Sequence, residues 1–253
     1  FRFVVLEGDN SYNNFKIGTV EHTNALAYYN DLPTSSTKKW YNAGISITQR
    51  KWMMDILDTA YESNEPVIIM CHYPITSLFN GQELLDIMDG YSNIVMWLNG
   101  HIHNGSYEKI GPRHHLGMEG MMESANAWYQ MDFTPSLITV YEADETTIPK
   151  YELDIARTIS ISIASPTGLT MTDGLLEWNN EPTGVTEIII ERRDCPSAVY
   201  ETPSTALTLA WQIIATIPIT NSTQSYTDNN SSADYKYRMR FINGLQSSNY
   251  LLF

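Results

Sequence analysis

Two short apolar runs in this chain each end in a turn that carries histidine. Residues 67–71 (Val-Ile-Ile-Met-Cys) lead directly into His72, and residues 94–98 (Ile-Val-Met-Trp-Leu) lead into a turn with His101 and His103. Continuous runs of this length, rich in Val and Ile, predict strands that are buried on both faces of a sheet. Ligands of such sheets bind beyond the carboxyl ends of the strands. We therefore expect the three imidazoles to gather at one edge of a helix-covered sheet.

The spacing of these histidines favours a metal site. In extended backbone, residues two apart point to the same side, so His101 and His103 can face one cavity. Gly100 lets the chain turn tightly just before them. Neutral imidazole is a good ligand for Zn, Mn and Fe. A single histidine after a strand is usually a hydrogen-bonded loop residue, but the combination of two such turns is more specific and predicts metal ligation by His72, His101 and His103.

The two motifs, His72-Tyr73-Pro74 and Gly100-His101-Ile102-His103, resemble those of the calcineurin-like metallophosphoesterases. The resemblance implies that His72 and His101 bind one divalent metal and that His103 binds a second, with Mn, Fe and Zn all possible. It also implies hydrolysis of a phosphoester or a nucleotide diphosphate by a dinuclear metal centre. Residues 104–107 and 111–120 look closest to the manganese-dependent ADP-ribose/CDP-alcohol diphosphatase branch.

The motifs that this family carries in its first half do not occur in the chain. They are Asp-x-His, Gly-Asp-x-x-Asp and Gly-Asn-His-Asp/Glu, and they supply the other ligands and a catalytic histidine. Gly8-Asp9-Asn10 is the nearest match, but Tyr12 stands where an aspartate is expected. We therefore predict that residues 1–157 are the C-terminal half of a metallophosphoesterase domain. No catalytic residue is assigned, and this chain alone is not expected to carry the full activity.

Two further residues are candidates for contact with a phosphorylated small-molecule substrate. His115 and Glu119 follow the second motif in a segment that resembles the same family. A structural role for either of them weighs more than a substrate contact. Because half of a layered sheet leaves apolar surface uncovered, we also expect the chain to pair with the missing N-terminal half or with itself.

Charge and hydropathy exclude several other functions. The formal net charge is −14, so there is no basic surface to displace counterions from nucleic acid. No apolar run approaches the ~20 residues that cross a bilayer. Cys71 and Cys195 fall in different predicted domains, so we expect no disulfide. The family resemblance and the module that follows favour a secreted or cell-envelope protein of bacterial type.

The rest of the first domain is predicted to be α/β. Ser46 and Gln49 form a capping-box pattern that begins a helix over 47–63. A second helix is expected at 82–89, and a strand with clear alternation at 136–142. The segment from the first strand to about Asn42 is predicted to be irregular; its aromatic residues either cover the site or cap the core.

Beyond residue 157 the pattern changes to short alternating strands about ten residues apart, which predicts an all-β sandwich. Residues 158–253 resemble a fibronectin type III domain, with Trp178 as its core tryptophan and Tyr235 as its tyrosine corner. Arg238 and Arg240 are expected on a solvated face. These features support an alternative function, in which the chain is a non-catalytic extracellular module that binds protein or glycan.

Overall fold

The computed structural model of the protein contains two compact units, which divide between residues 158 and 159. The structure describes residues 1–8, 15–122, 127–143, 145, 147–155, 167–179, 184–195, 209–219, 225–243, 246–248 and 251–252. The predicted domain boundary at 157/158 therefore lies outside the described residues. Within the described part of the chain, no helix has both the length and the apolar composition needed to cross a membrane.

In the residues that the structure describes, the first unit combines three α-helices with eight strands. In chain order these are β1 Arg2–Leu6, α1 Val20–Asp31, α2 Ile47–Glu62, β2 Val67–Cys71, α3 Gly81–Asp89, β3 Ile94–Asn99, β4 Asn104–Ile110, β5 Arg113–Glu119, β6 Tyr129–Phe133, β7 Leu137–Glu142 and β8 Tyr151–Asp154. A short 3₁₀ turn, Ile75–Ser77, lies between β2 and α3.

The principal sheet has the strand order β1-β2-β3-β5-β4. Strands β1, β2, β3 and β5 are parallel, and β4 closes the sheet as an antiparallel edge strand. β2 and β3 are almost wholly buried, which confirms the two strands predicted from their Val/Ile runs. Because they are parallel neighbours, their carboxyl ends, and the two histidine turns, meet at the same edge of the sheet.

The two predicted helices are confirmed. The hydroxyl of Ser46 accepts a hydrogen bond from the backbone N–H of Gln49 at 3.3 Å and caps α2. Met53, Met54 and Leu57 are fully buried and form the apolar side of α2. α3 ends at Asp89 and is capped by Gly90, after which the chain continues to β3.

The prediction of irregular structure up to Asn42 is wrong in one part, because Val20–Asp31 forms helix α1. Thr19 caps this helix by accepting a hydrogen bond from the backbone N–H of His22 at 3.2 Å. Only Ala25 and Tyr28 are buried along α1. A helix that buries so little surface has no periodic apolar stripe, which is why hydrophobic periodicity did not reveal it.

A second, antiparallel sheet covers part of the principal sheet. Its order is β6-β7-β8, and it includes the alternating strand predicted at 136–142. Ile138 and Val140 of β7 pack with Ile68 of β2, Met96 of β3 and Leu116 of β5 in one buried cluster. The first unit is therefore an α/β layered structure with one face of its main sheet against helices and part of the other against a second sheet.

The described residues of the second unit form β-strands and the turns between them. Its strands are β9 Thr167–Thr172, β10 Leu175–Asn179, β11 Glu187–Asp194, β12 Gln212–Pro218, β13 Ser225–Thr227, β14 Tyr235–Asn243, β15 Gln246–Ser247 and β16 Leu251–Leu252. They form antiparallel sheets in the orders β13-β10-β9 and β12-β11-β14-β15, with β16 beside β14. Trp178 is buried among residues of both sheets. The likeness to a fibronectin type III domain stays a prediction.

Two sequence expectations for this unit change in detail. The hydroxyl of Tyr237 donates a hydrogen bond to Asp228 at 2.9 Å, so Tyr237 rather than Tyr235 carries the buried tyrosine contact. The prediction that Arg238 lies on a solvated face is wrong, because Arg238 is buried. It donates to Glu191 at 2.7 Å, and its guanidinium lies 4.5 Å from the ring centroid of Trp211. An ion pair and an aromatic face together offset the cost of burying this charge.

Candidate functional site

The turns after β2 and β3 are fixed to one another by their backbones. The N–H of Gly100 donates a hydrogen bond to the carbonyl oxygen of His72 at 3.0 Å. The indole N–H of the buried Trp97 donates to the carbonyl oxygen of Tyr73 at 3.1 Å. Parallel pairing of β2 with β3 brings the two turns side by side, and these bonds hold them in register.

This arrangement brings His72 and His101 together. Nδ1 of His101 lies 3.3 Å from Nε2 of His72, and the two rings are nearly perpendicular. His101 reaches this position with a backbone φ of +68°, in the left-handed region that a non-glycine residue adopts at a cost of about 1–3 kcal/mol. The turn thus holds a locally unfavourable backbone in order to direct one imidazole toward the other.

The surroundings of His101 keep its imidazole uncharged. Burial, together with the charge effects of His72 and His103, lowers the pKa of His101 below its usual value. The ring of Tyr73 lies 4.9 Å from the ring of His101, and the ring of Tyr41 lies 6.1 Å away. Neutral imidazole is the form that ligates metals, so His101 is in the correct protonation state at neutral pH.

His103 lies on the same turn as His101, with its side chain exposed. Its carbonyl oxygen accepts a hydrogen bond from the N–H of Gly120 at 2.9 Å, which ties the turn to the end of β5. Among the residues that the structure describes, no three His, Cys, Asp or Glu side chains come close enough together to hold one ion. The structure therefore brings together two of the three predicted ligands as a pair and leaves His103 beside them.

An apolar groove of about 320 Å³ begins at His72. Its floor is formed by Val5, Met70, Leu98 and Met118, which extend from four neighbouring strands of the principal sheet. Val5 is 62% exposed. The groove thus continues into an uncovered part of the sheet face.

The two candidate substrate-binding residues are not placed together. His115 is 4% exposed and lies inside β5. Glu119 lies at the end of the same strand, where Oε1 accepts a hydrogen bond from Nζ of Lys150 at 2.8 Å. That hydrogen bond lowers the pKa of Glu119, and Lys150 is held by Glu142 as well, at 2.9 Å. Glu119 therefore belongs to an ion-pair network at the end of β5, whereas His115 is buried within the strand.

The nearest match to the family's first-half motifs, which includes Asp9, Asn10 and Tyr12, lies outside the described residues. Sequence reasoning did not single out Tyr73, whose ring contacts both His72 and His101. Its position inside the His-x-Pro motif was the available signal, since a residue between a ligand and a proline lies on the same short turn.

Comparison with known proteins gives sequence relatives and a similar solved structure, while no family model matches the chain. The chain is 30% identical over 112 residues to the manganese-dependent ADP-ribose/CDP-alcohol diphosphatase of Arabidopsis thaliana, which is 40% of this chain and 34% of that protein. It is 31% identical over 94 residues to the Mus musculus protein of the same name, which is 34% of this chain and 28% of that protein. The chain thus spans about a third of the length of the curated relatives it matches.

The fold is similar to that of a dimetal phosphatase from Danio rerio, with a TM-score of 0.52 and 19% identity over 60% of this chain and 56% of the other. These sequence and structural similarities confirm the predicted relationship to the metallophosphoesterases. They agree with the α/β class of the first unit.

Proposed function

We propose that the chain supplies one half of a metal-dependent phosphohydrolase that cleaves a phosphoester or a nucleotide diphosphate. The observation that carries the proposal is the pair of imidazole nitrogens, from His72 and His101, 3.3 Å apart at the carboxyl edge of a parallel sheet. The relatives named as manganese-dependent diphosphatases support the reaction class. The substrate would be a phosphorylated small molecule and not nucleic acid, since the net charge of −14 disfavours a polyanion.

The distance between the two rings fits a shared metal ion. Two nitrogens bound to one tetrahedral ion at about 2.0–2.1 Å are about 3.3 Å apart, and Nδ1 of His101 and Nε2 of His72, which are also within hydrogen-bonding distance of each other, have this separation. We assign His72 and His101 to one divalent metal and His103 to a second. Manganese is the first candidate because the relatives carry it in their names, with iron and zinc as the other ions that imidazole accepts.

In this proposal a metal supplies Lewis-acid polarisation of a phosphoryl oxygen. The chain's own contribution is orientation. The bond between Gly100 and His72 and the bond between Trp97 and Tyr73 hold the two turns, so the imidazoles do not have to be ordered when a metal binds. Tyr73 and Tyr41 reduce the access of water to His101 by packing against its ring.

The remaining oxygen ligands would come from a segment that carries the family's first-half motifs. The uncovered face of the sheet supports this part of the proposal, since Phe3 and Val5 of the edge strand β1 are 51% and 62% exposed. These side chains continue the floor of the groove at His72. A segment that covered this face would bury them and bring its own carboxylates to the histidine pair. Self-association of the chain is the alternative means of covering it.

The proposal is tested by metal binding and activity in a protein that contains the missing motifs. We expect His101→Ala to lower the affinity for Mn²⁺ at least tenfold and to abolish hydrolysis of ADP-ribose. The control is His22→Ala, which removes a histidine that belongs to helix α1 and to neither turn. Retention of both metal and activity by His101→Ala would refute the proposal. Size-exclusion chromatography with light scattering then shows whether the present chain is a monomer, with the sheet face at β1 uncovered, or a self-associated oligomer.

A further inference from the structure

The backbone around His101 forms a γ-turn. The N–H of Ile102 donates a hydrogen bond to the carbonyl oxygen of Gly100 at 2.8 Å, and φ of the residue between them, His101, is +68°. A hydrogen bond that spans two residues, with a positive φ at the central one, defines the rare and strained form of the γ-turn. The strain falls on the residue whose imidazole faces His72, so the turn depends on support from its surroundings.

The side chain of Asn99 supplies such support. Its Nδ2 donates a hydrogen bond to the same carbonyl oxygen of Gly100 at 2.9 Å. That oxygen belongs to the peptide that joins Gly100 to His101, and a peptide is a rigid plane whose rotation determines φ of the residue that follows it. Asn99 is the last residue of β3 and is 6% exposed. The amide that holds this peptide therefore comes from the buried end of a strand.

The other hydrogen bond of Gly100 restrains a different peptide. The N–H of Gly100 donates to the carbonyl oxygen of His72 at 3.0 Å and so fixes the peptide before Gly100. The bonds from Ile102 and Asn99 fix the next peptide, between Gly100 and His101. Loss of the Asn99 amide would leave this second peptide with the bond of the strained turn alone.

The neighbouring strand leaves room for the amide. Gly117 of β5 is the register partner of Asn99. A Cβ at position 117 would lie 3.1 Å from Nδ2 of Asn99, which is tighter than most Cβ contacts in proteins. The hydroxyl of Ser106 would be nearer still. The absence of a side chain at Gly117 thus allows the amide to occupy the position from which it reaches Gly100.

Asn93 provides a comparison at the other end of β3. It directly precedes the strand and is 4% exposed, and its Nδ2 donates to the carbonyl oxygen of Glu65 at 2.8 Å. Both asparagines are therefore buried, and each donates to one backbone carbonyl. Only the acceptor of Asn99 belongs to the turn that carries His101, so loss of the Asn93 amide should lower stability without changing that turn.

We propose that Asn99 is a positioning residue of the candidate metal site. By holding the carbonyl of Gly100, it keeps His101 in the strained turn that places its imidazole beside His72. The consequence for metal binding rests on the proposed function, whereas the contact between the two rings in the metal-free chain does not. Groups that orient a metal ligand typically change the metal affinity about 10–100-fold when they are removed.

The test compares Asn99→Leu with Asn93→Leu, each of which removes one buried amide. NMR of the metal-free chain follows the nuclear Overhauser effect between the rings of His72 and His101 and the hydrogen exchange of the Ile102 amide. In Asn99→Leu we expect the ring contact to be lost and the exchange of Ile102 to accelerate about tenfold, because the turn opens more often. Asn93→Leu should retain both, even where it lowers the free energy of unfolding as much. Asn99→Ala replaces the leucine variant if that one does not fold.

Zn²⁺ is the metal probe, since it accepts imidazole ligands and is diamagnetic. Its affinity for the chain should fall about tenfold in Asn99→Leu and stay unchanged in Asn93→Leu. The inference is overturned by a retained ring contact in Asn99→Leu, by equal changes in the two variants, or by an unchanged Zn²⁺ affinity after the contact is lost. If the unmodified chain binds no Zn²⁺ but only Asn99→Leu loses the ring contact, the metal assignment of the proposed function fails and the positioning of His101 by Asn99 stands.

Discussion

Two pairs of histidines in the first unit have opposite environments although they belong to the same sheet. His72 and His101 stand on turns beyond the strands, with their ring nitrogens 3.3 Å apart. His114 and His115 stand inside β5 and are buried. Because neighbouring residues of a strand point to opposite faces, His114 and His115 cannot face one another. The position of a histidine relative to the end of a strand therefore decides whether it is available to a ligand or part of the interior.

The buried pair is itself divided into a satisfied and an unsatisfied ring. Nε2 of His114 lies 2.8 Å from the carbonyl oxygen of Asp154, which can only accept, so Nε2 carries the proton. Nδ1 is then free to accept a hydrogen bond from the hydroxyl of Tyr107 at 2.9 Å. His114 thus has a partner for both nitrogens, whereas Nε2 of His115 has none among the described residues. Both rings are therefore interior, but only that of His114 has a hydrogen-bond partner at each nitrogen.

The largest expected effect is a difference in the free energy of unfolding between variants of the buried pair, His114 and His115, and variants of the pair on the turns, His72 and His101. His114→Ala removes a buried ring and leaves Tyr107 and the carbonyl of Asp154 without their partner, at an expected cost of about 3 kcal/mol in the free energy of unfolding. His72→Ala removes an exposed side chain and should cost less than about 0.5 kcal/mol. Urea unfolding of both variants measures the difference. Equal losses would remove the distinction between the two pairs.

The next largest effect is the pH dependence of the free energy of unfolding, which the buried His115 should dominate. The pKa of His115 is about 4 in the folded chain, lowered chiefly by burial, against an ordinary value of 6.5 in the unfolded chain. Between these values the unfolded state binds the proton and the folded state does not, so stability falls as the pH is lowered through this window. We expect His115 to account for about 2 kcal/mol of the stability lost between pH 7 and pH 5.

The control for that pH dependence is His115→Gln, which keeps a polar side chain and does not titrate. Urea unfolding at pH 7 and pH 5 should show a smaller loss of stability in this variant than in the unmodified chain. Identical pH profiles for the two proteins would mean that the pKa of His115 is the same in the folded and the unfolded chain.

The same contrast shows how far the sequence could predict this structure. Strands β2 and β3 and helix α2 were predictable because their signals are local: continuous Val/Ile runs and the cap at Ser46. The motif spacing also predicted that His72 and His101 would meet. Helix α1 was not predictable, since it buries only Ala25 and Tyr28.

The environments of individual side chains were harder to predict because their partners are distant in sequence. Asp154, which fixes His114, is 40 residues further along the chain. Glu191, which pairs with Arg238, is 47 residues away from it. His115 and Glu119 looked like one substrate-binding segment, but Lys150, which holds Glu119, could be identified only from the packing of β5 near β7. Local patterns specify elements, whereas the burial of a charged or titratable group depends on which elements meet.

The smallest expected effect tests the division within the buried pair. Tyr107→Phe keeps the ring that stacks against His114 and removes only the hydroxyl that donates to Nδ1. The acceptor left behind is buried, so the free energy of unfolding should fall by about 1 kcal/mol. Tyr151→Phe is a matched control, since the ring of Tyr151 lies 5.3 Å from that of Tyr107 and should be retained. NMR of His114 should still show the proton on Nε2, because the bond to the carbonyl oxygen of Asp154 is unchanged. A shift of that proton to Nδ1 would mean that the hydroxyl of Tyr107, and not the carbonyl oxygen of Asp154, determines the tautomer of His114.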